Sequence, residues 1–271
     1  MKQFLFSFCF FISIYASAQE LYVFSEPASN MPSHALSPKQ YVKVLSNSRT
    51  NKLESRYTSE MMIGINKNLM IHAAATLSDM YTEGHRWESV RLYAKYRMYT
   101  KDDMYSHFRV ACFTEISHSN NQPKYEELSL EGDQSGVQFG FIATQLLHKL
   151  AISSTISVIE SLQESRRDPN YYPVYPYQAI NYSLSAGYLV APKTYTSYDQ
   201  TNFNIYLEVL AQNSLDRKLH FIDLAPALQL IFNSSSKLNL GYRFRVTGNM
   251  NRMSNSSFLL SYEWVFLNAF K

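Results

Sequence analysis

The segment KLNLGYRFRV, residues 237–246, alternates apolar and polar side chains without interruption. A repeat of two residues is the pattern of a β-strand, whose successive side chains point to opposite faces of the sheet. One face carries Leu238, Leu240, Tyr242, Phe244 and Val246, and the other carries Lys237, Asn239, Gly241, Arg243 and Arg245. Such a strand needs an apolar environment on one side and a polar environment on the other.

Eleven further segments show strand-like patterns, which indicates a fold built from strands alone. The predicted strands are 39–48, 56–66, 69–80, 87–100, 104–119, 135–149, 150–162, 178–190, 201–215, 220–233, 237–248 and 256–267. Short connections such as 66–68 nearly alternate with longer polar ones such as 120–134, and the exceptions are 191–200 and 216–219. Outer-membrane barrels have this asymmetry between their two ends. The sequence therefore predicts an all-β protein, a single antiparallel up-and-down transmembrane β-barrel of about 12 strands.

Alternation by itself also fits a soluble barrel or a sandwich, in which the apolar face points inward. Four features favour the membrane barrel, and the first is the number and length of the strands, because ~9–11 tilted residues span a bilayer. The polar faces carry charges in mid-strand, as in 91–97 and 243–245, whereas the apolar faces are bulky and often aromatic near the strand ends. The chain also ends in SSFLLSYEWVFLNAFK, an amphipathic strand followed by the penultimate Phe270. Such an ending resembles the signal that the outer-membrane barrel-insertion machinery reads, which makes that machinery an expected partner together with outer-membrane lipid.

The first residues, MKQFLFSFCFFISIYASAQE, have an early lysine, an apolar run and Ala16-Ser17-Ala18. These are the parts of a secretory signal peptide, predicted over 1–18, and the run is shorter than the ~20 residues of a spanning helix. Residues 19–38 contain three prolines and predict an irregular periplasmic lead-in, which leaves 39–271 for the barrel. Cleavage leaves Cys112 as the only cysteine, so no intramolecular disulfide is expected.

Several segments together resemble an uncharacterised family of Bacteroidota outer-membrane β-barrel proteins. They are YVFSEPASNMPSHALSPK, WESVRLYAKYR, YEELSLEGDQSGVQ, NYSLSAGYLVAPK, LAPALQLIFN and SSFLLSYEW. The resemblance covers nearly the whole mature chain and implies the fold and a place in the outer membrane of a Gram-negative bacterium. An even number of strands would put both termini in the periplasm. The resemblance brings no catalytic motif.

The inward-facing charges are the candidate functional residues. A tight turn at 101–103 would set Arg97 opposite Arg109 and Arg91 opposite Glu115, so that Arg91 and Glu115 form a salt bridge. Lys95, Arg97 and Arg109 would then form a basic cluster without an acidic partner in the same hairpin. The remaining predicted ion pairs join Arg243 and Arg245 to Asp223 and Glu263.

The whole set of inward charges is nearly balanced, with six basic and five acidic residues. The basic ones are Arg91, Lys95, Arg97, Arg109, Arg243 and Arg245, and the acidic ones are Glu60, Glu115, Glu208, Asp223 and Glu263. Two functions fit. The barrel is a narrow channel or binding site for a small solute, with an anion as one candidate because of the basic cluster, or it is a structural or assembly barrel with a closed, ion-paired lumen.

Other functions have weaker support in the sequence. An outer-membrane hydrolase ranks third, because the loop histidines His85, His118 and His220 have acidic or serine neighbours but GxSxG and HExxH are absent. Met62 and His72 would face each other across a turn, and such ligands suit copper, but their spacing matches no ligand motif, so we predict no metal or cofactor. The formal charge of +3 without a basic run indicates no nucleic-acid partner. The two long loops, 120–134 and 163–177, are the best candidates for partner surfaces. The tyrosine-rich loop 163–177 also fits an aromatic belt at the level of the lipid headgroups.

Overall fold

The computed structural model describes residues 21–163, 175–194 and 199–270. The predicted signal peptide, 1–18, lies outside these ranges, as does most of the tyrosine-rich loop 163–177. Within them no helix is both long and apolar enough to cross a membrane.

Twelve antiparallel strands form the molecule. They are β1 Leu36–Ser46, β2 Leu53–Gly64, β3 Leu69–Ser78, β4 Arg86–Asp102, β5 Ser106–Ser119, β6 Gly136–Leu147, β7 Leu150–Ser161, β8 Gln178–Ala191, β9 Asn202–Ser214, β10 His220–Phe232, β11 Ser236–Gly248 and β12 Ser256–Trp264. Each strand pairs with its neighbours in the chain, and β1 pairs with β12, which closes the sheet into a barrel. The predicted all-β up-and-down barrel is confirmed, and each predicted strand corresponds to one observed strand.

The connections define two ends of the barrel. The terminal end carries the described N- and C-terminal segments and mostly tight turns, such as 233–235 between β10 and β11. The loop end carries the other six connections, including the long segment 120–135 between β5 and β6. Both predicted exceptions are real, because the β8–β9 connection is long and the β9–β10 connection is short.

The barrel has an apolar outer surface and a polar interior, which we call the bore. On β11, Lys237 is 4% exposed and Asn239 is 3% exposed, whereas Leu240 is 50% exposed. Ionised and amide side chains on the other strands are likewise buried, while leucine, isoleucine and aromatic side chains face outward. A closed sheet satisfies the backbone hydrogen bonds of every strand, as an apolar surrounding demands.

Several predicted strand ends differ from the structure by up to three residues. Strand β1 begins at Leu36 instead of residue 39, because Leu36 pairs with Ile63 of β2 and with Phe266 beyond β12. The β4–β5 register is also shifted, so that Arg97 lies opposite Ala111 rather than Arg109. The turn lies two residues further along the chain than expected, and the ladder is irregular between Arg97 and Tyr99.

Candidate functional site

The lead-in folds into the bore. We use this name for the described residues 21–35, which precede β1. The Glu208 carboxylate on β9 accepts hydrogen bonds from the backbone N–H groups of Val23 and Phe24, both at 2.9 Å. Further along, the Ala28 N–H donates to Thr144 Oγ1 on β6 at 2.8 Å. The segment therefore crosses the interior from one wall to another.

Apolar contacts hold the lead-in at several points. Tyr22 lies edge-on to Tyr206 of β9, with ring centroids 5.5 Å apart. Near β1, Met31 packs with Met62 and Met70 in a buried cluster. Gly64 of β2 leaves room for the lead-in, because a Cβ atom there would overlap the carbonyl group of Pro32. The sequence carries no periodic signal for this placement.

The predicted basic cluster is covered by the lead-in. Lys95 is fully buried, and its Nζ lies 3.0 Å from the Glu26 carboxylate and 2.8 Å from the Pro27 carbonyl oxygen. Arg109 donates to Ser29 Oγ at 3.0 Å and lies 3.3 Å from Asp102. Because Asp102 belongs to β4, the prediction that this hairpin lacks an acidic partner was wrong. Arg97 Nε is buried without a hydrogen-bond partner among the described residues.

A second segment enters the bore from the loop end. We call residues 120–135 the inserted loop. Its Glu127 lies 2.7 Å from Arg252 and 3.1 Å from Arg243. Burial raises the pKa of Glu127, but the charges of Arg252 and Arg243 outweigh burial and hold the pKa well below its usual range. The carboxylate is therefore ionised at neutral pH.

Glu131 of the inserted loop behaves in the same way. It lies 3.5 Å from Lys43 of β1 and 3.8 Å from Arg91 of β4. Burial raises its pKa, but the neighbouring cations, Lys43 foremost, lower it to about 2. Charge thus attaches the inserted loop to the bore wall.

A further attachment is made by residues that the sequence analysis did not select. Arg56 on β2 is 2% exposed and binds Glu88 of β4 through two hydrogen bonds of 2.6 and 2.9 Å. The same guanidinium lies 2.7 Å from Asp133 of the inserted loop. Both strand residues stand on inward-facing positions, which could have been read from the alternation, but their partnership depends on the position of the loop.

The predicted ion pairs form in part. Arg91 lies 3.3 Å from Glu115 even though the two are not opposite in register, because the arginine reaches its neighbour diagonally. Arg243 pairs with Asp223, which also binds Arg252 at 2.8 Å.

The other two predicted members have different partners. Glu263 lies 3.1 Å from Lys237 instead of Arg243 or Arg245. Arg245 donates to the carbonyl oxygens of Gly248 and Met250 and to Asn255 Oδ1, so it stabilises the β11–β12 connection.

A cavity of about 310 Å³ remains between the lead-in and the inserted loop. On β1–β5 its wall carries charged and aromatic residues, among them Arg91, His72 and Tyr93. On β6–β9 the wall carries neutral hydroxyl and amide groups, such as Thr155 and Gln212, beside aliphatic side chains such as Ile142. The lumen thus contains a chamber of mixed polar and apolar lining between the two segments.

The two candidate metal ligands, Met62 and His72, have different surroundings. His72 and Met62 are partners in register, but Met62 packs among apolar side chains and His72 Nδ1 lies 2.9 Å from Glu60. Over the described ranges, no group of three histidine, cysteine or acidic residues could hold a metal ion.

The loop histidine His85 has Ser55 and Asp79 as neighbours. Its Nε2 is 2.9 Å from Ser55 Oγ and 3.8 Å from Asp79. Since both neighbours meet the same ring nitrogen, the carboxylate does not orient the ring as in a catalytic triad. Ser119 donates to the carbonyl oxygen of Gly132 and supports the inserted loop.

Comparison with known proteins gives matches in fold alone. No family model matches the chain, and no curated protein matches it. Among solved structures, an outer membrane channel from Pseudomonas putida F1 superposes with a TM-score of 0.59 at 11% identity, covering 90% of this chain and 100% of that one. The β domain of the Bordetella autotransporter BrkA gives 0.51 at 12% identity, covering 86% and 99%. The NanC porin gives 0.50 at 10% identity, covering 84% and 98%. The chain therefore shares its barrel architecture with these outer-membrane proteins.

Proposed function

We propose that this protein is an outer-membrane barrel that carries a small solute through its bore, and that the lead-in is the gate. The apolar outer surface and the buried ionic interior support a position in a bilayer. The shared architecture with an outer membrane channel and a porin supports transport as the activity. Lipid and the barrel-insertion machinery are the partners that such a protein would meet.

The orientation follows from the two unlike ends. Outer-membrane barrels turn tightly on the periplasmic side and carry longer connections outside. The terminal end, with turns such as 148–149, would then face the periplasm together with both termini. The inserted loop would enter from the external side.

The observation that carries the gate is the contact of the lead-in with the basic cluster. Among the described residues, the lead-in joins the wall covalently at Leu36, and its contacts with Lys95, Arg109 and Glu208 are hydrogen bonds and ion pairs. Each of these bonds contributes about 0.5–3 kcal/mol. On the wall side these bonds and the apolar contacts of Tyr22 and Met31 involve side chains and not the backbone ladder, so we infer that the lead-in can leave without unpairing a strand. Departure of Glu26 would uncover Lys95 beside Arg97 and Arg109, which would favour anions in the open path.

Planar-bilayer conductance tests the gate. Lys95→Met removes the bonds to Glu26 and Pro27, so we expect a higher open fraction than in the wild type. Lys101→Met removes an exposed lysine of the same strand and should leave the open fraction unchanged. In the Lys95→Met background, Arg97→Glu should reduce the preference for anions. Absence of conductance in all of these variants, with a folded heat-modifiable barrel, would refute the channel.

That outcome would favour the second candidate, a structural or assembly barrel with a permanently closed lumen. The specific observation in its favour is the ionic attachment of the inserted loop through Glu127, Glu131 and Asp133. A closed barrel of this kind would show no conductance, whichever contact of the lead-in was removed.

A further inference from the structure

We propose that the cavity between the lead-in and the inserted loop binds a neutral polyhydroxylated solute, of the size of a single sugar ring. This inference rests on the proposed transport function and names its substrate class. A volume of about 310 Å³ lies at the lower end of the range typical of small-molecule sites.

The charges around the cavity exclude an ionic ligand. Arg91 lies within 4 Å of the carboxylates of Glu60, Glu115 and Glu131. Lys43 pairs with Glu131. A charged ligand would have to break one of these pairs or enter as a buried charge without compensation, and both are costly.

The β6–β9 wall offers what a hydroxylated ligand needs. Ser157 accepts a hydrogen bond from Gln138 at 2.7 Å, and its hydroxyl group retains further bonding capacity. Thr155 Oγ1, on the same strand, is buried without a hydrogen-bond partner within the described part of the chain. A buried hydroxyl without a partner is costly, and a ligand hydroxyl would satisfy it.

The β1–β5 wall of the cavity also carries three neighbouring aromatic side chains, His72, Tyr93 and Phe113. His72 and Tyr93 have ring centroids 4.9 Å apart, and Tyr93 stacks on Phe113 at 5.3 Å. Such faces provide apolar area for the C–H side of a sugar ring. His72 is 3% exposed and Nδ1 is occupied by Glu60, while Nε2 has no hydrogen-bond partner among the described residues. Aromatic rings and hydroxyl groups that line the same cavity match a sugar ring, which has both kinds of surface.

Isothermal titration of the detergent-solubilised protein tests the proposal with three sugars of one ring size. The probes are glucose, glucuronate and glucosamine, which are neutral, anionic and cationic at neutral pH. We expect glucose to bind at least tenfold more tightly than either charged sugar, a difference of about 1.4 kcal/mol. Phe113→Leu should weaken glucose binding at least fivefold, whereas Phe139→Leu, which removes an outward-facing ring, should not change it.

The titration is repeated with Lys95→Met, so that access past the lead-in does not limit binding. Galactose is included as a second neutral hexose. Tighter binding of glucuronate or glucosamine, or no binding of either neutral sugar to either protein, would overturn the proposal. If Lys95→Met conducts but binds no sugar, the sugar site is refuted and the channel stands. If it binds sugar but does not conduct, the channel is refuted and the sugar site stands.

Discussion

Charged residues inside the bore act in pairs that bridge strands and inserted segments. Arg91 and Glu115 were predicted as a pair from the sequence, and they meet although the predicted register was wrong. Long side chains tolerate a diagonal offset of this kind. The pair of Arg56 and Glu88 was missed, because an inward position is visible in the alternation but a partner two strands away is not.

Removal of Arg56 tests whether these pairs stabilise the fold. Arg56→Met leaves the buried Glu88 carboxylate without its counter-charge, so we expect a loss of about 3–5 kcal/mol in the free energy of unfolding. The double variant Arg56→Met with Glu88→Gln should recover part of that loss. Arg217→Met, at an exposed position, is the control. Denaturant titration in detergent measures all four proteins, and an unchanged Arg56→Met protein would refute the role of the pair.

Two glycines with nearly the same backbone conformation test the packing around this pair. Gly132 has φ +99° and Gly84 has φ +98°, so alanine is equally strained at either position. A Cβ at Gly132 would lie 2.5 Å from the Glu88 carboxylate and 2.8 Å from Arg56 Nε, whereas nothing lies within 4 Å at Gly84. Thermal unfolding should therefore give a clearly lower midpoint for Gly132→Ala than for Gly84→Ala. Equal midpoints would contradict the close approach of the inserted loop.

Strands were predictable from the sequence and the segments inside the bore were not. Alternation is a local property of each strand, so all twelve were found, with errors only at ends such as Leu36 and at the β4–β5 turn. The lead-in and the inserted loop have no periodic pattern. Their positions depend on contacts between residues far apart in sequence, such as Ala28 with Thr144 and Glu127 with Arg252.

The pH dependence of the free energy of unfolding tests the ionic attachment of the inserted loop. The folded-state pKa of Glu127 lies below the unfolded value of about 4.3, so its ion pairs stabilise the fold above that value and are lost as the pH falls toward the folded pKa. We expect Glu127→Gln to be about 3 kcal/mol less stable than the wild type at pH 7. The difference should stay constant down to about pH 5 and shrink at lower pH.

The matched control is Glu83→Gln, at an exposed loop position. Its stability should follow the wild type at every pH. A Glu127→Gln difference that grows in acid would show that the assigned ion pairs do not exist.

The twelve strands form a cylinder with an apolar outer surface, so the protein needs an apolar surrounding. Leu240 is 50% exposed and Leu215, in the β9–β10 connection, is 52% exposed, but only Leu240 lies on the barrel wall. The alternation predicted the outer surface correctly. It could not predict that the lumen is occupied. A bore filled with water and a bore filled with a chain segment need the same strand pattern.

Arginine at these two positions separates a membrane barrel from a soluble one. In a bilayer, Leu240→Arg should cost about 2–4 kcal/mol, the effect of arginine on a lipid-facing strand near the midplane. Leu215→Arg should cost less than about 0.5 kcal/mol, as at an ordinary surface. Unfolding from lipid vesicles measures both variants. Equal and small effects would mean that the apolar wall does not face lipid.

Closure of the bore by the lead-in is the central claim. A reversible disulfide bond between the lead-in and the wall tests it most directly. Ser25 of the lead-in and Ser185 of β8 have hydroxyl oxygens 2.8 Å apart, so cysteines at both positions have the proximity that a disulfide needs. In a Cys112→Ser background, the oxidised double-cysteine protein should conduct no current across a planar bilayer, and reduction should restore openings at the frequency of the unlocked protein. Equal conductance in the oxidised and reduced states, with the disulfide verified by mass spectrometry, would contradict the account.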